Sequence, residues 1–281
     1  METLIEAKGL TKKYGKTTVL DQLDMTIERG KIVGLIGHNG AGKTTALKCI
    51  LGLCPYEGDL NVMGMNPKKD RANLMEKVCF IADTAILPRW ITAEQAMKFV
   101  GGVHPKFNRE KAMDFLSQTD IGLKTKVGSL SKGMITQLHL ALVMAIDVPL
   151  LVLDEPTLGL DILYRKKFYT NLLNDYFDEN KTILITTHQV EEVESLLTDI
   201  MFIKQGKIIM DMSMDQVADK YVEVKVSNQN IDVARLLEPI SEQSGLGQTT
   251  FLFEDKNVND LKSLGDVRLP TIADLFVAKM Q

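Results

Sequence analysis

An α/β fold with a mainly parallel sheet is what this sequence predicts, and three observations carry the prediction. Apolar runs that read as strands alternate with runs at helical spacing: Ile32–Ile36 is followed by Leu47, Ile50 and Leu51. Leu150–Leu153 and Thr182–Thr187 repeat the pattern of strands buried on both faces, which implies a sheet covered by helices. Between the first strand and its helix stands Gly37-His38-Asn39-Gly40-Ala41-Gly42-Lys43-Thr44, a match to G-x-x-x-x-G-K-[ST] in its required strand–loop–helix context.

Each element follows from local signals. Residues 4–28 alternate around Tyr14-Gly15-Lys16 and predict antiparallel strands joined by a turn. Gly52 stops the helix after the loop. Tyr56–Asp59 reads as a turn and Leu60–Val62 as a strand. From about 85 to 130 the pattern is helical, so a helical subdomain is inserted there. Thr92 with Gln95 forms a capping box, and Asn108 caps a second helix carrying Met113, Phe115 and Leu116. Asp161 caps a long helix to about Asp178, and Ile200–Ile203 with Lys207–Met210 close a hairpin around Gln205-Gly206. The acidic run Glu191, Glu192, Glu194 reads as a solvated first helical turn. A composition shift near Ser213 divides a large domain, 1–212, from a small α+β appendix, 213–281. In the appendix, strands are expected at Val222–Val226 and Thr250–Phe253, with helices around Ala234–Leu237 and from Thr271.

Bulk properties narrow the function classes. At 281 residues, 45% hydrophobic and 25% charged, the chain is ordinary for a globular protein. A formal charge of −4 offers no basic excess, so no nucleic-acid partner is expected. Cys49, Cys54 and Cys79 have no metal-ligand spacing and read as core residues in a reducing compartment. The start, Met1-Glu2-Thr3-Leu4, lacks a signal-peptide pattern. No apolar run reaches the ~18 residues of a membrane span, because Leu138–Leu153 is broken by His139, Asp147 and Pro149. Docking on a membrane protein stays compatible with this.

The loop predicts phosphate chemistry. Its glycines let successive N–H groups turn inward on phosphate oxygens, and the helix start adds a favourable dipole. Lys43 reaches the β- and γ-phosphates of a nucleotide and the Thr44 hydroxyl ligates Mg²⁺. Leu150–Asp154 ends an apolar strand in a carboxylate. Asp154 suits Mg²⁺ through its water shell, and Glu155 is placed to orient or deprotonate an attacking water.

Five features in order resemble the nucleotide-binding subunit of an ABC transporter. They are Tyr14, the loop at Gly37–Thr44, Leu130-Ser131-Lys132-Gly133-Met134, Asp154-Glu155-Pro156-Thr157, and His188. The resemblance covers about residues 1–212 and implies a phosphate-loop ATPase with an antiparallel N-terminal β subdomain and an inserted helical subdomain. It implies ATP and Mg²⁺ as ligands, with Gly37, His38, Asn39, Gly40, Ala41, Gly42, Lys43, Thr44 and Thr45 around the nucleotide and Tyr14 stacked on adenine. Ser131, Lys132 and Gly133 would contact the γ-phosphate held by a second subunit, and Leu158-Gly159-Leu160-Asp161 resembles the loop that crosses between subunits. Glu155 and His188 take the catalytic positions. Thr44, Asp154 and Asp83 take the metal positions, although Asp83 stands where the family usually has Gln and reads equally as a turn residue before Thr84. Lys132 and Met134 depart from the usual Gly and Gln, which looks similar to bacterial export subunits. Trp90 lies either on the surface that touches a membrane subunit or inside the helical subdomain. The resemblance further implies a homodimer or a heterodimer with a homologous ATPase chain. It also implies a membrane-spanning partner and a cytoplasmic position on the inner face of the membrane. Alternatives are a soluble relative acting on ribosomes or DNA, and a slow-turnover regulator.

Overall fold

The computed structural model describes residues 2–82, 87–245 and 247–280. These form two compact units: the chain up to Leu197 with Met201–Met210, and Thr198–Ile200 with the chain from Asp211 on.

The first unit opens with β1 (Thr3–Tyr14) and β2 (Thr17–Glu28), antiparallel with Tyr14 opposite Thr17. β3 (Ile32–Ile36) is buried along its whole length and leads through the glycine-rich loop into α1 (Lys43–Ile50). β4 (Glu57–Val62) joins the free side of β1, giving a three-stranded sheet of order β2-β1-β4. This strand begins earlier than the sequence predicts, because the long-range pairing of Thr11 with Glu57 extends it through the turn-like Gly58. The short α2 (Arg71–Met75) leads to β5 (Val78–Ile81).

A helical block follows: α3 (Ala93–Val103), α4 (Arg109–Ser117) and α5 (Lys132–Met144). Thr92 forms its capping box with Gln95, and Asn108 accepts from the Lys111 N–H at 3.0 Å. Ala96, Met97, Leu116, Leu138 and Leu142 form one apolar cluster, so α5 packs with the inserted helices although it starts beyond residue 130. Trp90 stands at 75% exposure, on the surface and not in that cluster.

The alternation then resumes with β6 (Leu150–Asp154), α6 (Ile162–Asn171), β7 (Thr182–Thr187), α7 (Val190–Val193), β8 (Asp199–Lys204) and β9 (Lys207–Ser213). The six-stranded sheet has the order β5-β6-β7-β3-β8-β9, with β5, β6, β7 and β3 parallel. This is the α/β phosphate-loop fold, with its antiparallel N-terminal sheet and inserted helices.

In the second unit, α8 (Met214–Lys220) precedes β10 (Tyr221–Ser227), α9 (Ile231–Leu236), β11 (Ser241–Ser244), β12 (Gln248–Glu254), α10 (Val258–Leu261), β13 (Gly265–Arg268) and α11 (Ile272–Met280). The four-stranded antiparallel sheet has the order β11-β12-β10-β13. From β10 to β13 the succession is β-α-β-β-α-β, the ferredoxin-like arrangement. Val222, Val224, Val226, Phe251 and Phe253 fill its core. Among the described residues no helix is long and apolar enough to cross a membrane.

Candidate functional site

Three parallel strands deliver their carboxyl ends to one edge of the sheet. Ile36 pairs with Thr187, and Asp154 with Thr186. The residues that follow, Gly37, Glu155 and His188, are neighbours for that reason. Ligands of open α/β sheets bind at such an edge.

The loop's glycines are required by its backbone. Gly42 caps α1 in the left-handed region at φ 112°, and a Cβ there would come within 2.9 Å of Leu20 Cδ2. A Cβ on Gly37 would lie 2.6 Å from the Ile203 carbonyl oxygen, so the loop can only lie against β8 without one. The first N–H groups of α1 have no intrahelical acceptor and present a partial positive charge. Lys43 is buried, and its Nζ donates to the carbonyls of Gly37 at 2.6 Å and His38 at 3.3 Å. Burial holds its pKa below the ordinary lysine value, a shift opposed by the carboxylates of Glu155 and Asp154.

A cleft of about 420 Å³ brings together Asn39, Gly40, Gly42, Lys43, Thr44, Thr45, Asp154, Glu155 and His188, with Val19 and Leu158 completing its wall. Asp154 is 1% exposed, and both its oxygens are bonded. Thr44 Oγ1 donates to Oδ2 at 2.8 Å and Thr186 Oγ1 to Oδ1 at 2.5 Å. Glu155 adopts φ 49°, a left-handed conformation that costs a non-glycine residue about 1–2 kcal/mol. From there its Oε2 meets His188 Nδ1 at 2.8 Å and the His188 N–H at 3.4 Å. The carboxylate is largely covered and the imidazole half exposed, at 15% and 45%.

Other expected site residues lie outside this cleft. Tyr14 ends β1 half exposed, with the Lys12 ammonium 4.6 Å from its ring centre and its hydroxyl beside Cys54 and Thr45. Ser131 is the N-cap of α5, accepting from the Met134 N–H at 3.2 Å, a bond that uses a lone pair and leaves its proton available. A Cβ on Gly133 would come 3.3 Å from the Gly159 carbonyl oxygen, so this helix start borders the Leu158–Asp161 loop, and Lys132 is exposed beside it. Gly37, His38 and Ala41 belong to the loop but do not line the cleft. Asp83 lies outside the described residues.

Two features escaped sequence reasoning. Thr186 grips Asp154, and its one signal is a hydroxyl residue in a buried strand two positions before His188. Arg165 donates from Nε to the Leu160 carbonyl at 2.8 Å and from Nη1 to Gln189 at 2.6 Å and Glu192 at 2.5 Å. That ion pair corrects the reading of Glu192 as a solvated helix-start charge: a guanidinium from α6 reaches it, a contact no local pattern reveals.

The family described as "ABC transporter" matches residues 20–158. The bacitracin transport ATP-binding protein BcrA of Enterococcus faecalis is 33% identical over 270 residues, covering 92% of this chain and 84% of that protein. The chain belongs to the ABC transporter ATP-binding family. The SkfA peptide export ATP-binding protein SkfE of Bacillus subtilis is another relative of this ABC chain, 32% identical over 223 residues, 77% of this chain and 92% of that one. A solved ATP-binding subunit of an ABC transporter superposes with a TM-score of 0.68 at 24% identity, over 76% of this chain and 92% of that one, which shows the shared fold. As a member of the family, the ABC subunit binds nucleotide and is an ATPase.

Proposed function

We propose that the cleft holds the phosphate tail of ATP, with Lys43 and the first-turn N–H groups of α1 on the β- and γ-phosphates. Thr44 and Asp154 would hold Mg²⁺ there. The donor set fits: a hydroxyl and a carboxylate, 2.8 Å apart, are hard oxygen donors of the kind Mg²⁺ takes. Such a cation would offset the negative charge of the phosphates. Asp154 is held for this task by Thr186, and Asp83 is the further candidate ligand.

Glu155 is the general base that accepts the proton of the attacking water, a role worth roughly 10² to 10⁴ in rate. The Glu155–His188 contact carries this reading. A single short bond couples the carboxylate to a histidine at the next strand's end, and both border the phosphate loop. His188 keeps the carboxylate turned toward the cleft and touches the γ-phosphate. Tyr14 stacks on adenine. Ser131, Lys132 and Gly133 complete the site of a second ATPase chain, so two chains close on two nucleotides.

Closure drives a separate membrane-spanning subunit at the inner face of the membrane. Export is the proposed direction, supported by the relative named for SkfA peptide export. The exposed Trp90 suits the surface facing that subunit.

The test is Glu155→Gln, which keeps shape and removes the base. With ATP and Mg²⁺ it should elute on gel filtration as a dimer of the 31.4 kDa chain, and revert when ATP is removed. A variant that hydrolyses ATP normally would remove Glu155 from the role.

A further inference from the structure

We propose that Arg165 is a positioning residue for hydrolysis, tying the Leu158–Asp161 loop to the segment that carries His188. The inference rests on the reading of His188 and Glu155 given above. Arg165 lies in the first turns of α6, where its N–H bonds to the Asp161 carbonyl at 3.0 Å. Its side chain then reaches across two other segments. One hydrogen bond goes to Leu160, in the loop whose Leu158 lines the cleft. Two go to Gln189 and Glu192, on either side of the start of α7.

The segment after His188 is anchored in the core by Val190 and Val193 but has little regular structure of its own. α7 is four residues long, and a three-residue 3₁₀ turn follows it. Backwards along the chain, the Gln189 N–H bonds to Thr187 Oγ1 at 2.9 Å, which holds the peptide and not the side chain. The Gln189 amide is therefore oriented from α6. Glu192 is pinned from a second direction: Thr157 Oγ1 donates to its Oε2 at 3.5 Å, and Thr157 in turn meets the Tyr169 hydroxyl at 3.2 Å. Thr157 follows Glu155 by two residues, and Tyr169 lies one turn beyond Arg165 on α6. The bonded set thus runs from the residues after Glu155, through α6, to the residues after His188, and encloses the 2.8 Å contact between them.

A planar guanidinium suits this junction. It donates in fixed directions to three acceptors on two segments, so a displacement of the loop is carried to Gln189 and on to His188. A lysine would keep the charge and the attraction to Glu192 but cannot hold all three acceptors in one plane. Misplacing a catalytic group by about 1 Å can cost ~10² in rate.

The test measures kcat and KM for ATP hydrolysis by the purified full chain, with a fluorescent ATP analogue reporting binding. Arg165→Lys should lower kcat at least tenfold while KM and analogue affinity stay within threefold. Gln189→Met, which leaves the Arg165–Glu192 ion pair intact, should lower kcat several-fold in the same pattern and serves if the lysine variant folds poorly. Wild-type kcat in both variants would overturn the proposal. So would a loss of kcat that only tracks the folded fraction, counted from nucleotide-binding stoichiometry, since that marks a structural role alone. Glu155→Gln measured in parallel separates the two inferences. Full turnover in that variant sinks the general-base reading, while the Arg165 kcat pattern is judged on its own numbers.

Discussion

At the scale of single residues, the site is decided by how its buried carboxylate is kept in place. Asp154 is almost wholly out of water and survives as an acceptor because two threonines donate to it, one from the loop and one from β7. Thr186→Val keeps the branched shape and removes one donor. A buried acceptor left unsatisfied costs about 1–3 kcal/mol. In a domain of this size each kcal/mol lowers Tm by about 2–4 °C. A melt of the variant should show a fall of at least that size, and nucleotide-dependent stabilisation should shrink with it. An unchanged Tm would mean that the Thr186 bond contributes nothing net. Glu155 supplies the opposite case, a residue held in a left-handed conformation at the end of β6 so that its carboxylate meets His188. Such strain at a site is a functional cost, not a folding error.

At the scale of elements, the sequence was most readable where a segment decides its own structure. The run Ile32–Ile36, the glycine-rich loop and α1 follow from local pattern, as do the strand ending in Asp154 and the strand ending at Thr187. The caps at Thr92, Asn108 and Asp161 form as their side chains predict. Elements made by their partners were not legible. β11 is Ser241-Glu242-Gln243-Ser244, without apolar alternation, and is a strand because β12 pairs with it. β13 owes its existence to β10 in the same way. Glu223 alternates with valines like a surface residue, yet it is buried and pairs with Arg268 from β13. In the site, the same limit hid Thr186 and Arg165, whose partners lie 32 residues away for one and up to 27 for the other. Glu254 on β12 gives an element-scale prediction, because its carboxylate joins α8, β10 and α11 through Lys220, Tyr221 and Lys279. Burial works against its charge, but the hydrogen bonds from Lys279 and Lys220 outweigh it and hold the pKa at about 2, below the ordinary 4.5. A depressed folded-state pKa means stability present above pH 4.5 and lost as the pH falls toward 2. Stability of this unit, followed by near-ultraviolet circular dichroism, should therefore drop across that window. Glu254→Gln should begin lower and show a flatter dependence, and an identical pH dependence would exclude Glu254 as its source.

At the scale of the whole molecule, the question is whether residues 213–281 make a domain in their own right. They hold most of the second compact unit, to which Thr198–Ile200 also belong. Ser213 caps α8 with Gln216 in a reciprocal capping box, so the segment begins at a natural helix start. The four-stranded sheet draws every strand from this segment, and its apolar core of Val222, Val224, Val226, Phe251, Phe253, Leu261 and Leu264 closes within it. The Glu254 cluster and the Glu223–Arg268 pair are also internal. Size works the other way, since a domain of about 70 residues buries little more than 60% of its unfolded surface and is marginal. The expectation is a fragment that folds cooperatively but weakly. In urea, 213–281 should unfold in one transition with a slope of about 1 kcal/mol per molar and a stability of no more than about 3–5 kcal/mol. Circular dichroism and tryptophan-independent probes such as tyrosine fluorescence should trace the same curve, because Tyr221 is buried at the junction of β10 and β12 and the chain's single tryptophan lies elsewhere. A broad, probe-dependent transition would instead show that the segment needs the rest of the chain to fold.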